Sequence, residues 1–203
     1  MIKRNLLIAI LILCSIGIIK GQTVSDSLVI MSARWKVESP QKGIIHKYAS
    51  IPRLYQGTQS VSLIEIEPGA GLKVDIAVSD EMKETSRIAS EHRGIAAING
   101  SYFDMKRGNS VCFLKVGNQV VDTTTLSECK LRVTGAMHVH KGKIKLIPWS
   151  RQIEKEYKGE TGIVLASGPL MLKDGQICDW NSCGTNFIRT KHPRSAVATT
   201  KEG

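Results

Sequence analysis

The sequence has few aromatic residues and no basic cluster, and both absences argue against a nucleic-acid partner. Phenylalanine, tryptophan and tyrosine make up 5% of the 203 residues, and the lysines and arginines are interspersed with acidic residues. Single-stranded nucleic acid is usually bound in a basic groove where bases stack on aromatic side chains. The net charge of +10 therefore predicts a solvated basic surface that attracts anionic glycans or phosphates, with no nucleic-acid partner.

Compositional bias and internal repeats are also absent. Hydrophobic residues make up 42% of the chain and charged residues 23%, and no repeat or low-complexity tract interrupts them. These values are close to globular averages and exclude a collagen-like, coiled-coil or disordered chain. The length fits one domain of ordinary size.

Long apolar runs are missing except at the N-terminus. There, Lys3 and Arg4 precede the mostly apolar residues 6–19, and the small residue Gly21 follows. This order is typical of a secretory signal. A membrane-spanning helix needs about 20 apolar residues, so a permanent anchor is the weaker interpretation. We expect residues 1–21 to be an export signal and the only membrane contact, and the protein to be periplasmic or extracellular.

The chain has only five cysteines. Cys14 would be the modified residue of a lipoprotein, a less favoured alternative because the apolar run continues past it. Removal of the signal would leave an even number of cysteines in an oxidising compartment. We therefore predict disulfides among Cys112, Cys129, Cys178 and Cys183, with a short loop closed between the last two.

A metal site is the alternative use of Cys178 and Cys183, with His192 as a further ligand. Four residues separate the two cysteines and no second close pair exists, so the pattern is a poor match to a zinc site. We expect no metal and no cofactor.

The chain is predicted to begin its folded part with little regular structure. Residues 22–59 contain scattered prolines and glycines and are interpreted as an irregular leader to a domain at 60–203. Residues 61–66 and 72–78 alternate apolar and polar side chains around a glycine-containing turn, which predicts a hairpin.

One helix and a series of strands follow. Ser79 or Asp80 is predicted to cap a helix that ends at Arg93, with Gly94 at the C′ position and a buried strand after it. We predict strands at 95–98, 162–166 and 195–200, a short helix at 150–157, and hairpin turns at 117–118, 141–142 and 174–175. The predicted fold class is α/β of the α+β type, with a strand-rich mixed sheet and one clear helix.

The first candidate site is residues 96–104, which read A-A-I-N-G-S-Y-F-D. Gly100 lacks a Cβ and permits positive φ, so the backbone here can approach a ligand closely. Asn99 offers a donor and an acceptor to sugar hydroxyls, and Asp104 offers a carboxylate. The simpler alternative is an Asn-Gly turn followed by an aspartate that caps a loop.

The second candidate site is residues 166–172, where a buried strand runs into S-G-P-L-M-L. Ser167 and the Gly168 amide are suited to donate to an anion, although Gly-Pro is also an ordinary turn. The serine lies outside a G-x-S-x-G sequence, so a serine hydrolase is not indicated.

The third candidate site is residues 191–195, K-H-P-R-S, before an apolar segment. Arg194 presents a planar cation that can bind a phosphate or carboxylate through two hydrogen bonds. His192 is a candidate acid or base. Alternatively, the arginine is a salt-bridge partner and the histidine is structural.

These three motifs, in this order, resemble the phosphodiester glycosidase family over about residues 60–203. The resemblance implies hydrolysis of the bond between a sugar's anomeric carbon and a phosphodiester such as an N-acetylglucosamine 1-phosphodiester. It implies that Arg194 stabilises the leaving phosphate and that Asp104 stabilises the transition state or activates water. Asn99, Gly100, Ser167, Gly168 and His192 are the expected substrate-binding residues.

Members of that family continue past the third motif with a partner strand, a helix and a glycine-rich segment, whereas this sequence stops at Gly203. We therefore expect an incomplete family domain. The alternative function is a non-catalytic, exported module that binds glycans or phosphates.

Overall fold

The computed structural model describes residues 25–79, 81–159 and 161–201. The predicted export signal and Cys14 lie outside these residues. The helices are α1 (Asp26–Met31), α2 (Thr85–Glu91), α3 (Leu126–Leu131), α4 (Arg151–Glu156) and α5 (Thr185–Arg189). The strands are β1 (Lys36–Gln41), β2 (Ile44–Leu54), β3 (Gly57–Ile66), β4 (Leu114–Val116), β5 (Gln119–Asp122), β6 (Gly135–His140), β7 (Lys143–Pro148), β8 (Ile163–Ser167), β9 (Leu172–Lys173) and β10 (Gln176–Ile177).

The chain divides into two compact units, the first ending at Glu65 and the second beginning at Ile66. The first unit contains a three-stranded sheet in the order β1-β2-β3. A small core forms around Ala49, Ile51 and Leu54 of β2, with α1 residue Val29 packed against it. The helix is fixed to the sheet because the Asp26 carboxylate accepts a hydrogen bond of 2.8 Å from the Tyr55 amide.

The predicted irregular leader at 22–59 is not observed, because the described residues of this range form a helix and paired strands. The turn between β2 and β3 lies at Tyr55 and Gln56, with φ of 50° and 64°. Two successive positive φ values make a type I′ hairpin turn. The predicted hairpin of 61–66 with 72–78 is wrong, because β3 continues to Ile66 and residues 72–78 form no strand.

The second unit is built on a five-stranded sheet in the order β5-β4-β8-β6-β7, with β9 and β10 as a separate hairpin. The described neighbours in these sheets pair antiparallel. The central strand β8 is buried from Ile163 to Ala166, as an apolar run without alternation predicts. The strand-rich α+β fold class is confirmed.

Local sequence signals place the turns of this unit correctly. The hairpins turn at Gly117-Asn118, Lys141-Gly142 and Asp174-Gly175, as predicted. Ser150 caps α4 by accepting a hydrogen bond from the Ile153 amide, which confirms the helix predicted at 150–157.

The core of the second unit lies against β8. Its buried residues are Cys112, Phe113, Val133, Ala136, Trp149, Val164 and Ala166. The Glu154 carboxylate ties this core to α4, since it accepts hydrogen bonds of 3.1 Å from Trp149 Nε1 and 2.8 Å from the Thr124 amide. These bonds pair the Trp149 indole and the Thr124 amide inside the protein, which stabilises the packing.

The predicted helix is shorter than its sequence signals indicated. It begins at Thr85 after the extended residue Glu84. The Ser79 hydroxyl closes a local turn by donating to the Glu81 carbonyl at 2.7 Å, and Asp80, the other predicted cap, lies outside the described residues. At its end Arg93 has φ of 55°, and the Gly94 amide donates to the Ala89 carbonyl at 2.7 Å. Arg93 therefore occupies the C′ position that we predicted for Gly94.

The strands predicted at 95–98 and 195–200 are not formed. Ile95 and Ile98 are 51% and 46% exposed, and Val197 is 40% exposed. Neither segment pairs with a strand among the described residues. A strand needs a neighbour for its backbone hydrogen bonds, and an apolar sequence does not supply one.

Among the described residues, no helix is both long enough and apolar enough to cross a bilayer.

Candidate functional site

The first two sequence motifs meet at the side chain of Tyr102, and Phe187 links that side chain to the third. Its hydroxyl donates a hydrogen bond of 2.6 Å to the Gly168 carbonyl of the second motif. One residue earlier, the Ser101 hydroxyl donates to the Ala166 carbonyl at 2.9 Å. The first motif is therefore held along the end of β8, where the second motif begins.

The ring of Tyr102 is covered by an arginine that lies outside all three motifs. The guanidinium carbon of Arg132 is 3.7 Å from the Tyr102 ring centroid. The same guanidinium makes two hydrogen bonds to the buried Glu128 carboxylate, from Nε at 2.6 Å and from Nη2 at 2.9 Å. Arg132 is thus both stacked and ion-paired, and Glu128 compensates its charge.

Phe187 of α5 connects this pair to the third motif. Its ring meets Tyr102 edge to face, with centroids 6.1 Å apart. The guanidinium carbons of Arg132 and Arg194 lie 5.2 Å and 4.9 Å from the Phe187 centroid. We call Tyr102, Glu128, Arg132, Phe187 and Arg194 the arginine–aromatic cluster.

Arg194 differs from Arg132 in its partners. It is exposed and donates to backbone carbonyls only, those of Pro193 and Phe187 at 3.3 Å and Thr190 at 3.4 Å. In the described part of the chain no carboxylate pairs with it. Its charge is therefore available to an anion from solution.

The charges of the cluster act on the Tyr102 phenol. Burial raises the pKa of Tyr102, and the positive charges of Arg132 and Arg194 partly oppose that increase. The phenol is therefore protonated at neutral pH, which suits its role as donor to the Gly168 carbonyl.

Asn99 and Gly100 lie beside the cluster in an exposed loop. The Asn99 side-chain oxygen accepts a hydrogen bond of 2.8 Å from the Thr85 hydroxyl at the start of α2. Gly100 does not use positive φ, which corrects one reason for expecting glycine there. A Cβ at Gly100 would lie 3.1 Å from a Leu165 methyl group, so close packing favours glycine.

The Gly168 backbone also approaches another chain segment closely. A Cβ at this position would lie 2.1 Å from the Arg132 carbonyl oxygen and 2.8 Å from the Thr134 nitrogen. The neighbouring Ser167 is the last residue of β8 and pairs with Gly135 of β6. The second motif therefore packs directly against the segment that carries Arg132.

Asp104 adopts the loop-capping arrangement that was the alternative to a binding role. Its Oδ1 accepts hydrogen bonds from the amides of Lys106 at 2.7 Å and Arg107 at 3.1 Å. These bonds, with the charge of Arg107, lower the pKa of the Asp104 carboxyl. Asp104 is therefore ionised at neutral pH, and no hydrogen bond or ion pair joins it to Arg194 within the described residues.

His192 is exposed, and among the described residues its side chain makes no hydrogen bond or ion pair. In sequence it lies two residues before Arg194 of the cluster.

The predicted disulfides are wrong. Cys112, Cys129, Cys178 and Cys183 are all free thiols. Cys112 is fully buried in the core, and burial raises the pKa of its thiol. An even number of cysteines is compatible with disulfides, but it does not place two cysteines at the Cα and Cβ distances that a disulfide needs.

A concave region lies at α2, apart from the motifs. This cleft of about 360 Å³ is lined by Val78, Ser79, Glu81, Lys83, Ile88, Glu91 and His92. Lys83 pairs with Glu81 at 3.3 Å and with Glu91 at 3.2 Å, so its charges already compensate one another. Across the described ranges, no three His, Cys, Asp or Glu side chains are grouped to hold a metal ion. The arginine–aromatic cluster is the better candidate site.

Sequence reasoning missed three members of the cluster. The Glu128–Arg132 spacing of four residues is a recognised helical ion-pair signal and could have indicated that pair. Phe187 carries no comparable signal, because its role depends on two rings and two cations brought together by the fold.

Comparison with known proteins supports one family assignment. A model of the phosphodiester glycosidase family matches residues 92–203, more than half of the chain. No curated protein and no solved structure matches the chain. The matched region contains all three motifs and the whole arginine–aromatic cluster.

The close approach at Gly168 leads to a stability prediction. Gly168→Ala forces the 132–134 segment away from the second motif, and we expect it to lower the free energy of unfolding by about 3 kcal/mol. Hydrogen exchange should show lost amide protection at 132–134 and at residues 168 and 170. Gly57→Ala is the control, because its Cβ would meet only the Gln59 side chain, at an ordinary 3.5 Å. Unchanged protection in Gly168→Ala would show that the contact is not a constraint.

Proposed function

Because the chain belongs to the phosphodiester glycosidase family, we propose that it hydrolyses sugar 1-phosphodiesters such as N-acetylglucosamine 1-phosphodiesters. The water oxygen bonds to the anomeric carbon, keeps one hydrogen as the new sugar hydroxyl and releases its other proton to solvent, while the bond from that carbon to the phosphate oxygen breaks and its electron pair stays on the phosphate. The products are the free sugar and a phosphomonoester.

The observation that carries the proposal is the set of partners around the Arg194 guanidinium. It is a cation without a carboxylate partner in the described residues, and it packs on Phe187, which also contacts Tyr102 of the first motif. A phosphate is already a good leaving group, so stabilising its developing charge replaces much of the work of a general acid. A guanidinium binds phosphate oxygens through two hydrogen bonds, which suits Arg194 to that role.

Asp104 is proposed as the carboxylate of the reaction. Its lowered pKa keeps it ionised, which fits stabilisation of an oxocarbenium-like transition state or activation of water, and does not fit donation of a proton. In this proposal substrate binding brings the Asp104 loop and Arg194 to opposite sides of the scissile bond.

The remaining motif residues are proposed to bind the substrate. Asn99 would orient the sugar through its amide, while Gly100, Ser167 and Gly168 would provide backbone close to the ligand. His192 would contact the phosphate or the leaving alcohol. We further propose, from the N-terminal sequence, that the protein is exported and acts outside the cytoplasm.

A binding module without turnover is the second candidate function. It is favoured by one observation, the loop-capping role of Asp104, whose Oδ1 already accepts hydrogen bonds from the Lys106 and Arg107 amides. Such a module would retain a sugar 1-phosphodiester unchanged, so product analysis separates the two functions.

Replacing Arg194 tests the leaving-group role. With N-acetylglucosamine 1-(methyl phosphate) as substrate, we expect Arg194→Ala to lower kcat/KM about 100-fold or more. The free energy of unfolding should stay unchanged, because the side chain is exposed and makes only long bonds to carbonyls. Lys143→Ala removes an exposed charge outside the cluster and should be fully active. An Arg194→Ala variant with wild-type kcat/KM would rule out this role.

Replacing Asp104 tests the carboxylate through its pH dependence. Asp104→Asn keeps an oxygen for the Lys106 and Arg107 amides and should preserve the loop while losing most activity. Wild-type kcat/KM should fall only when the pH drops below the ordinary range of an aspartate, because the amides lower the pKa of Asp104. The variant's residual activity should lack this acid limb.

Asp174→Asn is the matched control, because it also replaces one carboxylate by an amide, here in a hairpin turn. It should keep both activity and the acid limb. An active Asp104→Asn enzyme with the wild-type pH profile would contradict the assignment of Asp104.

A further inference from the structure

We propose that Arg132, paired with Glu128, is a positioning residue that fixes Arg194 and Tyr102 for the reaction. This inference rests on the proposed function, because it assigns a residue to the same site. Arg132 belongs to none of the three motifs. Its backbone lies close to Gly168 of the second motif, and its side chain stacks on Tyr102 of the first. The same side chain lies near Phe187, on which Arg194 of the third motif packs.

The first step is that Arg132 itself has a fixed orientation. Its guanidinium binds both oxygens of the Glu128 carboxylate, and the Glu128 residue is only 8% exposed. Glu128 lies in α3, whose start is capped by Thr125. A bidentate pair on a capped helix leaves the guanidinium plane little freedom to rotate.

The second step is that this plane lies on Tyr102. The distance of 3.7 Å from the guanidinium carbon to the ring centroid is van der Waals contact. The ring is thereby held with its hydroxyl on the Gly168 carbonyl, 2.6 Å away. A guanidinium stacked on an aromatic face is attracted to it, and the attraction strengthens when the pair is partly desolvated.

The third step leads to Arg194. Phe187 lies against Tyr102 and Arg132, and Arg194 rests on Phe187 and donates to its carbonyl. A shift of Arg132 therefore changes the surface that supports the proposed phosphate-binding cation. Displacement of a catalytic group by about 1 Å can cost up to about 100-fold in rate.

The test replaces the planar group while keeping its charge. Arg132→Lys retains an ion pair with Glu128 but loses the bidentate geometry and the stacking. We expect about 10-fold lower kcat on N-acetylglucosamine 1-(methyl phosphate), with KM changed less, because the loss affects transition-state stabilisation. The matched control is Arg87→Lys, since Arg87 forms the same four-residue ion pair with Glu91 on α2, outside the cluster. It should have wild-type kcat.

A double variant shows whether Arg132 acts through Arg194. If it does, Arg132→Lys should lower kcat in the wild-type background but cause little further loss in Arg194→Ala. Independent, multiplicative losses would overturn the proposal, as would an Arg132→Lys enzyme with wild-type kcat.

A signal that does not need turnover separates this inference from the proposed function. The Nε–H resonance of Arg194, identified by its loss in Arg194→Ala, should be displaced from that of free arginine by the Phe187 ring. In Arg132→Lys it should move toward the free-arginine position, and in Arg87→Lys it should not. An unchanged resonance in Arg132→Lys overturns the positioning role, whereas an inactive wild-type protein would overturn only the glycosidase function.

Discussion

The hydrogen bond from the Tyr102 hydroxyl to the Gly168 carbonyl is the constraint on which the candidate site depends. It joins two motifs that are 66 residues apart in sequence and holds both at the end of the central strand. One such bond is worth only about 1 kcal/mol in isolation. Here the same ring also lies against Arg132 at its face and Phe187 at its edge, so one side chain contacts the other residues that support the candidate site.

The distribution of charge in the cluster explains how two arginines can differ in function. Arg132 is neutralised by a buried carboxylate and serves the packing of the rings. Arg194 has only backbone carbonyls as hydrogen-bond partners within the described residues, so no carboxylate there neutralises its charge. In the proposed reaction the charge of Arg194 complements the single negative charge of a phosphodiester, and the lowered pKa of Asp104 keeps its carboxylate ionised for the proposed role beside it.

Much of the fold around the site could be predicted because its signals are local. Lys141-Gly142 and Asp174-Gly175 turn where glycine follows a residue that tolerates positive φ, and Ser150 caps its helix. The turn at Tyr55-Gln56 could not be predicted, since two bulky residues take positive φ there under the constraint of the paired strands.

The sequence identifies the motifs of the site, but it does not predict the contacts that hold them together. Tyr102 was part of a recognised motif, yet its contacts with Arg132 and Phe187 depend on residues 30 and more positions away. The same limit applies to the cysteines, whose number indicated disulfides that the packing does not form. Residues 95–98 were predicted to be a buried strand from their apolar character, but a strand also needs a neighbour to pair with.

The most direct test of the central claim is to find which bond of the substrate is cleaved. Hydrolysis of N-acetylglucosamine 1-(methyl phosphate) in ¹⁸O-labelled water, followed by mass analysis of the phosphate product, makes that distinction. Attack at the anomeric carbon predicts methyl phosphate without label, because its oxygens all come from the substrate. Labelled methyl phosphate would mean attack at phosphorus, and intact substrate would mean binding without hydrolysis, and either result would contradict a glycosidase site built around Tyr102 and Arg194.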